Sequence, residues 1–431
     1  FMEWNVLFLI MLGCTLVLLL SGYWIGAGLT TVGIIGLIIS GYARNFIVLG
    51  NLAWNTSNSY TLTSIPLFVL MGEIILHSGM SRNFYLGVTK VAKHLPGGML
   101  IANIISCAIF SAISGSSVAT AAAIGSAAIP EQKRLHYRPR YIAGSLAVGG
   151  TLGILIPPSI ALIIYGNLTS TSIVTLFKVA MVPGLILAFL YILLNIGIAI
   201  IKKQDFADVD ISTLADMSWK DAFLGLLPMV VLIGGVLGGI YSGFTTPTEA
   251  ASVGVVLALI LAKIFGEVKW ENMKKSLISA TKTTAMLVYI MLGAQVISYV
   301  WTATGTTSQL VSWMVGLGFS KWGFFVIVCI IYLILGCFVE SNSMQYLTLP
   351  VLFPVICEYG FDPIWFGVIL VILLELGQIT PPMGINLFVI QGIDKETPLV
   401  EIIKGVLPYI AVMALMIVIL CIFPELCFIG A

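Results

Sequence analysis

Gly153-Ile154-Leu155-Ile156-Pro157-Pro158 returns later in the chain as Gly377-Gln378-Ile379-Thr380-Pro381-Pro382, 224 residues on (381 − 157). Pro130 and Pro354 stand 27 residues before the two Pro-Pro pairs (157 − 130), so the same offset holds upstream. Downstream, Lys178 with Pro183 finds counterparts in Lys404 with Pro408. Proline lacks an N–H and displaces the partner of its preceding turn, so one proline in a membrane helix is an ordinary kink. A matched Pro-Pro pair in each half marks helices broken at corresponding positions, the best pointer in a sequence to a transporter's binding site. Ahead of each pair lies an apolar stretch, 97–130 or 322–357, interrupted by a polar cluster: Ser114-Gly115-Ser116-Ser117 in one, Glu340-Ser341-Asn342-Ser343 in the other. Each stretch reads as two half-helices forming a re-entrant hairpin, whose mid-membrane backbone is tolerated only where protein buries it or it lines a cavity.

Composition supplies the setting. Of 431 residues, 59% are hydrophobic and 9% charged, with mean hydropathy +1.09; soluble domains carry about 45–50% and about 25%. A soluble enzyme is excluded, because too little polar surface exists to cover a globule of this size. Uninterrupted apolar runs such as 6–20 and 408–423 lack the alternation of a membrane β-barrel, so the expectation is an all-α polytopic membrane protein. Spanning segments fall near 4–21, 23–41, 64–80, 141–168, 172–201, 219–240, 244–262, 283–304, 364–393 and 398–423, about ten crossings beside the two hairpins. The first has no basic region before it and a second follows directly, so it reads as a retained helix and not a cleaved signal. A net charge of +1 with no concentration of Lys and Arg excludes a nucleic-acid partner. The seven cysteines (Cys14, Cys107, Cys329, Cys337, Cys357, Cys421 and Cys427) lack CxxC spacing and read as small core hydrophobes.

Charge placement orients the halves. The segment after the first hairpin carries Lys133, Arg134, Arg138 and Arg140, whereas its repeat-mate carries Glu358 and Asp362 and no base. Threading the crossings leaves only Arg44, Lys178 and Lys321 on one face and the other 17 basic residues (20 − 3) on the opposite face, which the positive-inside rule makes cytoplasmic. Both termini then lie outside and the repeats are inverted: 1–201 (hairpin 97–130, broken helix 141–168) and 219–431 (hairpin 322–357, broken helix 364–393). The acidic stretch 202–218, with Asp205, Asp208, Asp210 and Asp216, is a cytoplasmic linker. Arg82 to His94 and Lys269 to Lys282 mix periodic apolar residues with bases and read as amphipathic arms on the cytoplasmic interface.

The polar clusters carry the candidate chemistry. Carbonyls freed by the Pro-Pro breaks together with serine hydroxyls make a hard-oxygen site, suited to Na⁺ rather than to a transition metal. Two copies imply at least two ion sites; the same serines also suit helix caps, and the two roles overlap. Opposed half-helix N-termini would favour an anionic group on the solute, which points to a carboxylate. Glu340, at a hairpin tip, is the leading ligand or proton-coupling acid, while Glu73 and Glu375 stay undecided. Glu249, after Thr246-Pro247-Thr248, reads as a helix-start signal. Gly234-Gly235-Val236-Leu237-Gly238-Gly239 has GxxxG spacing, open to packing within the chain or against another subunit. No histidine (His77, His94, His136) falls near Ser116 or Ser117, so no hydrolytic triad is evident, and there is no Walker A, HExxH or nicotinamide fingerprint. An enzyme is not expected.

Several motifs then match a known family. Ser114-Gly115-Ser116, Ile156-Pro157-Pro158-Ser159-Ile160 through Tyr165-Gly166, Tyr241-Ser242-Gly243 with Pro247-Thr248-Glu249, Leu349-Pro350 with Pro354, Thr380-Pro381-Pro382-Met383-Gly384 and Lys404-Gly405-Val406-Leu407-Pro408 together resemble the large membrane subunit of TRAP transporters, the tripartite ATP-independent periplasmic transporters. The resemblance covers nearly the whole chain. It implies Na⁺-driven import, across the bacterial inner membrane, of a carboxylate-bearing solute such as a C4-dicarboxylate or sialic acid. The solute would come from a periplasmic binding protein, and a separate small four-helix membrane subunit would be a further partner. It also implies an elevator motion of hairpins and broken helices past a scaffold. Carried over by motif, one Na⁺ site would use Ser114, Ser116, Gly153, Ile156 and Pro158; the second would use Glu340, Ser341, Ser343, Gly377, Thr380 and Met383. Relatives often carry Asp where this chain has Glu340. The solute would sit between the tips, with Ser117, Asn342, Gln378 and Asn386 as polar candidates. The competing reading is a stand-alone elevator carrier that needs no binding protein.

Overall fold

The computed structural model describes residues 3–42, 46–206, 209 and 217–429; Arg44, Asp208, Asp210 and Asp216 lie outside the described residues. Among the described residues no strand forms. The first half runs α1 (Trp4–Leu20), α2 (Ile25–Ile39), α3 (Ile47–Ser57), α4 (Ser64–His77), α5 (Met80–Ala92), α6 (Gly98–Ser114), α7 (Ser117–Arg134), α8 (Pro139–Leu155), α9 (Ile160–Thr169) and α10 (Ile173–Ile201), then a 3-10 turn at Lys203–Phe206. The second runs α11 (Trp219–Tyr241), α12 (Pro247–Phe265), α13 (Trp270–Ala303), α14 (Thr306–Gly316), α15 (Lys321–Gly336), α16 (Ser341–Glu358), α17 (Pro363–Ile379), α18 (Ile385–Ile393), α19 (Leu399–Ile422) and α20 (Glu425–Phe428). Among the described residues six helical segments are long and apolar enough to cross a membrane alone, and five further helices are apolar but shorter. The protein is an all-α polytopic membrane protein.

Adding 224 to the bounds of α7 and α8 gives those of α16 and α17 residue for residue. Both hairpins (α6–α7, α15–α16) and both broken helices (α8–α9, α17–α18) therefore form where the repeat places them. Each break holds a cis Pro-Pro peptide, 157–158 and 381–382. The halves interlock through reciprocal contacts: α4 packs on α12 and α13 on α2, α5 on α11 and α14 on α1, α7 on α18 and α16 on α9. Small residues allow the closest of these seams. A Cβ on Gly293 would lie 2.7 Å from Leu29 Cβ, and one on Gly405 of α19 only 2.0 Å from the Arg140 carbonyl at the start of α8.

Two expectations change, on the second arm and on Cys357, and the open reading of the GxxxG run is resolved. The first arm is α5, bent 73° from α4. The stretch 269–282 is instead the opening of the unbroken 34-residue α13, because no proline interrupts Trp270–Ala303; the 224 offset makes α14, not that stretch, the mate of α5. The GxxxG run divides: a Cβ on Gly235 would lie 3.2 Å from Leu257 of α12 and one on Gly239 2.7 Å from Thr245, so that stripe packs within the chain, whereas one on Gly234 or Gly238 would meet nothing within 4 Å among the described residues. Among the cysteines, Cys107, Cys337 and Cys427 are buried, but Cys357 is exposed at the end of α16 and is no core residue. By contrast Thr246 and Glu249 form a complete capping box at the start of α12, with Pro247 in its first turn.

The face with the basic cluster is tied by ion pairs. Arg138 Nη1 lies 2.8 Å from Asp205 Oδ1, Arg140 donates to Asp205 Oδ2, and the Tyr141 hydroxyl donates to the same oxygen at 2.5 Å. Phe206 stacks on Tyr141 with centroids 5.2 Å apart. The Tyr141 hydroxyl and the two guanidinium groups hold the Asp205 carboxyl below its ordinary range. Lys133 at the end of α7 pairs with Asp394 at 2.6 Å and Glu396 at 2.9 Å, fastening the first hairpin to the α18–α19 turn.

Candidate functional site

The first hairpin reverses at Gly115, whose φ of +59° a side chain would strain. Ser116 then caps α7, its Oγ accepting from the Ala119 amide at 3.4 Å. Ser114 Oγ shares a hydrogen bond with Thr120 Oγ1 at 2.7 Å and donates to the Ser116 carbonyl at 3.3 Å. The broken helix closes over this tip: a Cβ on Gly153 would lie 2.9 Å from Ser116 O and 3.1 Å from Thr120 Oγ1, and one on Gly115 would lie 3.2 Å from Pro158 O. Ser114, Ser116, Gly153 and Pro158 are thus brought together, their hydroxyl and carbonyl oxygens close to one another. That donor set fits Na⁺ and offers no nitrogen or sulfur. Ile156 ends α8, and a Cβ on Gly184 of α10 would lie 2.8 Å from its Cγ1, so its side chain is turned toward α10. Thr120 was missed in the sequence. Its signal was its place four residues after the cap Ser116, one turn along the same side of α7.

At the second tip Glu340 takes the capping place of Ser116. Its Oε2 accepts from the Ser343 amide at 3.0 Å and the Ser343 hydroxyl at 3.2 Å, and its Oε1 accepts from Asn342 Nδ2 at 2.8 Å and Ser341 Oγ at 3.4 Å. The matching glycine does not face the tip as Gly153 does: a Cβ on Gly377 would meet Gly336 Cα in α15 at 2.6 Å. Thr380 Oγ1 donates to its own helix at Leu376 O, 2.6 Å away, and Met383 lies 48% exposed beyond the break. Residues 151–160 are all buried, while Pro382 and Met383 are exposed, so the first cluster is sealed and the second is open. A cavity of about 800 Å³ reaches Glu340 and Ser343 from Tyr23, Trp24, Lys282 and Tyr289.

One side chain joins the two tips. Gln378, on α17 and 1% exposed, accepts from Ser117 Oγ through Oε1 and donates to Ser341 Oγ through Nε2. Ser117 and Ser341 are repeat-mates and the first residues of α7 and α16, so two helix N-termini meet here and favour an anion. Among the described residues, further polar atoms of the same helices and of α18 lack partners. Asn342 Oδ1 has none; fully buried Asn386 donates to Ala147 O at 3.2 Å but leaves Oδ1 bare. Gln345, one turn beyond Ser341 and fully buried, has neither amide atom bonded, and its role was not visible in the sequence. An unpaired buried polar atom costs about 1–3 kcal/mol, so each needs an explanation, and a polar ligand is one.

The undecided acids separate. Glu73 accepts from Ser279 Oγ at 2.7 Å and lies 3.3 Å from His77 Nδ1, which makes it a tie between α4 and α13. Glu375 is fully buried on α17, and among the described residues no group lies within hydrogen-bonding geometry of its carboxyl oxygens.

Residues 12–426 match the profile of the family described as "Tripartite ATP-independent periplasmic transporter, DctM component". The chain belongs to this family. This DctM-family chain is 36% identical over 377 residues to the C4-dicarboxylate TRAP transporter large permease protein DctM of Pseudomonas aeruginosa, covering 86% of each chain. It is 29% identical to the sialic acid TRAP transporter large permease protein SiaM of Vibrio cholerae, covering 85% of each. In fold it is similar to the YdaH transporter of Alcanivorax borkumensis, with a TM-score of 0.61 at 15% identity over 95% of this chain and 98% of that one. The family's members are transporter permeases, in line with a DctM-family chain that is not an enzyme.

Proposed function

We propose that this chain is the solute-carrying subunit of a Na⁺-coupled importer for a carboxylate-bearing solute, a C4-dicarboxylate or a sialic acid. The observation that carries the reading is Gln378 holding Ser117 and Ser341 where two helix N-termini meet, a place that favours a carboxylate. The names of the relatives support that solute class. One Na⁺ binds at the first tip among Ser114, Ser116, Thr120, Gly153 and Pro158, with Ile156 setting the break. A second binds at the tip of the second hairpin, at Glu340, Ser341 and Ser343. Repeats 1–201 and 219–431, joined by 202–218, supply hairpins and broken helices that move together past a scaffold as an elevator. The solute arrives from a periplasmic binding protein, and a small four-helix membrane subunit completes the transporter in the inner membrane, both termini periplasmic. The one-sided distribution of Lys and Arg supports that orientation.

The test is uptake by proteoliposomes holding this chain and the small subunit. Labelled solute should enter only when Na⁺ and the loaded binding protein are both outside. Uptake that persists without Na⁺ overturns the coupling, and uptake without the binding protein favours a stand-alone carrier.

A further inference from the structure

We propose that Gln378 is an internal stand-in for the solute's carboxylate: its amide bridges the two hairpin tips while the site is empty, and the solute displaces it to take over the same two hydroxyls. The proposal rests on the import reading above and names the residue that competes with the solute.

A primary amide and a carboxylate are planar groups of the same size. Serine hydroxyls can donate or accept, so the pair that now serves an amide, donating to one end and accepting from the other, can both donate to the two oxygens of a carboxylate. The bridge is asymmetric in origin although its partners are equivalent. Ser117 and Ser341 are related by the 224-residue repeat, but the position equivalent to Gln378 is Ile154 (378 − 224), whose side chain has no polar atom. A single side chain from one repeat therefore lies across the meeting point of both tips, 1% exposed. It satisfies Ser117 and Ser341 and leaves others unserved: Gln345, on the same side of α16 as Ser341, and Asn342 Oδ1 keep no partner. A solute with further polar groups would bring what the amide cannot. A bridge that must open before the solute binds lowers the observed affinity by the fraction of molecules that are open.

The experiment uses the chain with its small subunit, and Gln378→Met, which keeps length and removes both polar atoms. Without solute, amide hydrogen exchange of segments 114–120 and 340–346 should quicken on the order of tenfold, the loss expected when a bridging hydrogen bond goes; unchanged exchange at both tips overturns the bridge. With succinate as probe, Gln378→Met should bind more tightly, whereas a residue that contacts the solute directly would lose affinity on removal. Weaker or unchanged binding therefore overturns the displacement. Gln378→Glu places a carboxylate permanently between the serines and should keep the tips protected while abolishing succinate binding; binding equal to the parent's overturns the proposal, and this variant serves if Gln378→Met does not fold. If the parent binds no succinate, the C4-dicarboxylate reading fails, while the exchange measurement still decides the bridge.

Discussion

Gly153→Ala adds one methyl group to the gap between the first broken helix and the first hairpin. The new Cβ would lie 2.9 Å from the Ser116 carbonyl oxygen, where ordinary contact begins at 3.4 Å, so that oxygen must retreat by about 0.5 Å (3.4 − 2.9). It cannot turn aside freely, because it accepts the Thr120 amide at 3.0 Å, the first hydrogen bond of α7. Thr120 Oγ1, 3.1 Å from the same methyl, must move as well. Overpacking of this kind costs about 1–3 kcal/mol. If these oxygens ligate Na⁺, moving them by about 0.5 Å weakens the ion-bound state, and a loss of that size there raises the Na⁺ half-saturation about 5- to 150-fold, at 1.4 kcal/mol per factor of ten. The assay is initial solute uptake against external Na⁺ in proteoliposomes, paired with thermal stabilisation of purified protein by Na⁺ over K⁺. Gly197→Ala in α10, where a Cβ meets nothing within 4 Å, is the control and should leave both titrations unchanged. A Gly153→Ala protein that melts normally and shows the parent's Na⁺ titration refutes ion binding at the first tip.

Three further outcomes are expected. Gly405→Ala drives a methyl to 2.0 Å from the Arg140 carbonyl and should cost about 3 kcal/mol or more by separating α19 from α8, visible as a large drop in melting temperature in detergent; an unchanged melt would show that the seam is looser than described. Asp205→Asn should free the Lys203–Phe206 turn at neutral pH, seen as faster tryptic cutting at Lys202 and Lys203. Because the folded carboxyl titrates below its ordinary range, the parent's clamp holds at neutral pH and weakens only as pH falls through that depressed range; loss of the clamp already at pH 6 would contradict it. Thr246→Ala removes half of the α12 capping box and should cost about 1 kcal/mol, while Thr246→Ser should restore most of the melting temperature.

Much of this was legible because helix breaks and reversals are written in residues with backbone consequences. Pro157-Pro158 and Pro381-Pro382 cannot continue a helix, Gly115 permits the left-handed turn, and Ser116 and Glu340 cap α7 and α16, so the hairpins and broken helices fell where expected. The arms were less legible. Charge and periodicity in Lys269 to Lys282 resemble those of an interfacial helix, but nothing there stops propagation into α13, and α14 carries too little charge to stand out.

The sequence by itself determined the solvent, the repeat, the breaks and the polar tips, because each depends on local residue type or on an offset within the chain. Which tip residues meet was decided only by tertiary structure. The bridge from Ser117 through Gln378 to Ser341 depends on how α17 crosses two helices from opposite halves, 261 and 37 residues away, and the meeting of Thr120 with Gly153 depends on how α8 closes over the first tip. The unequal burial of the two breaks arises from the same packing: Gly153 closes on the first tip, whereas its mate Gly377 closes on α15 and leaves Pro382 and Met383 exposed.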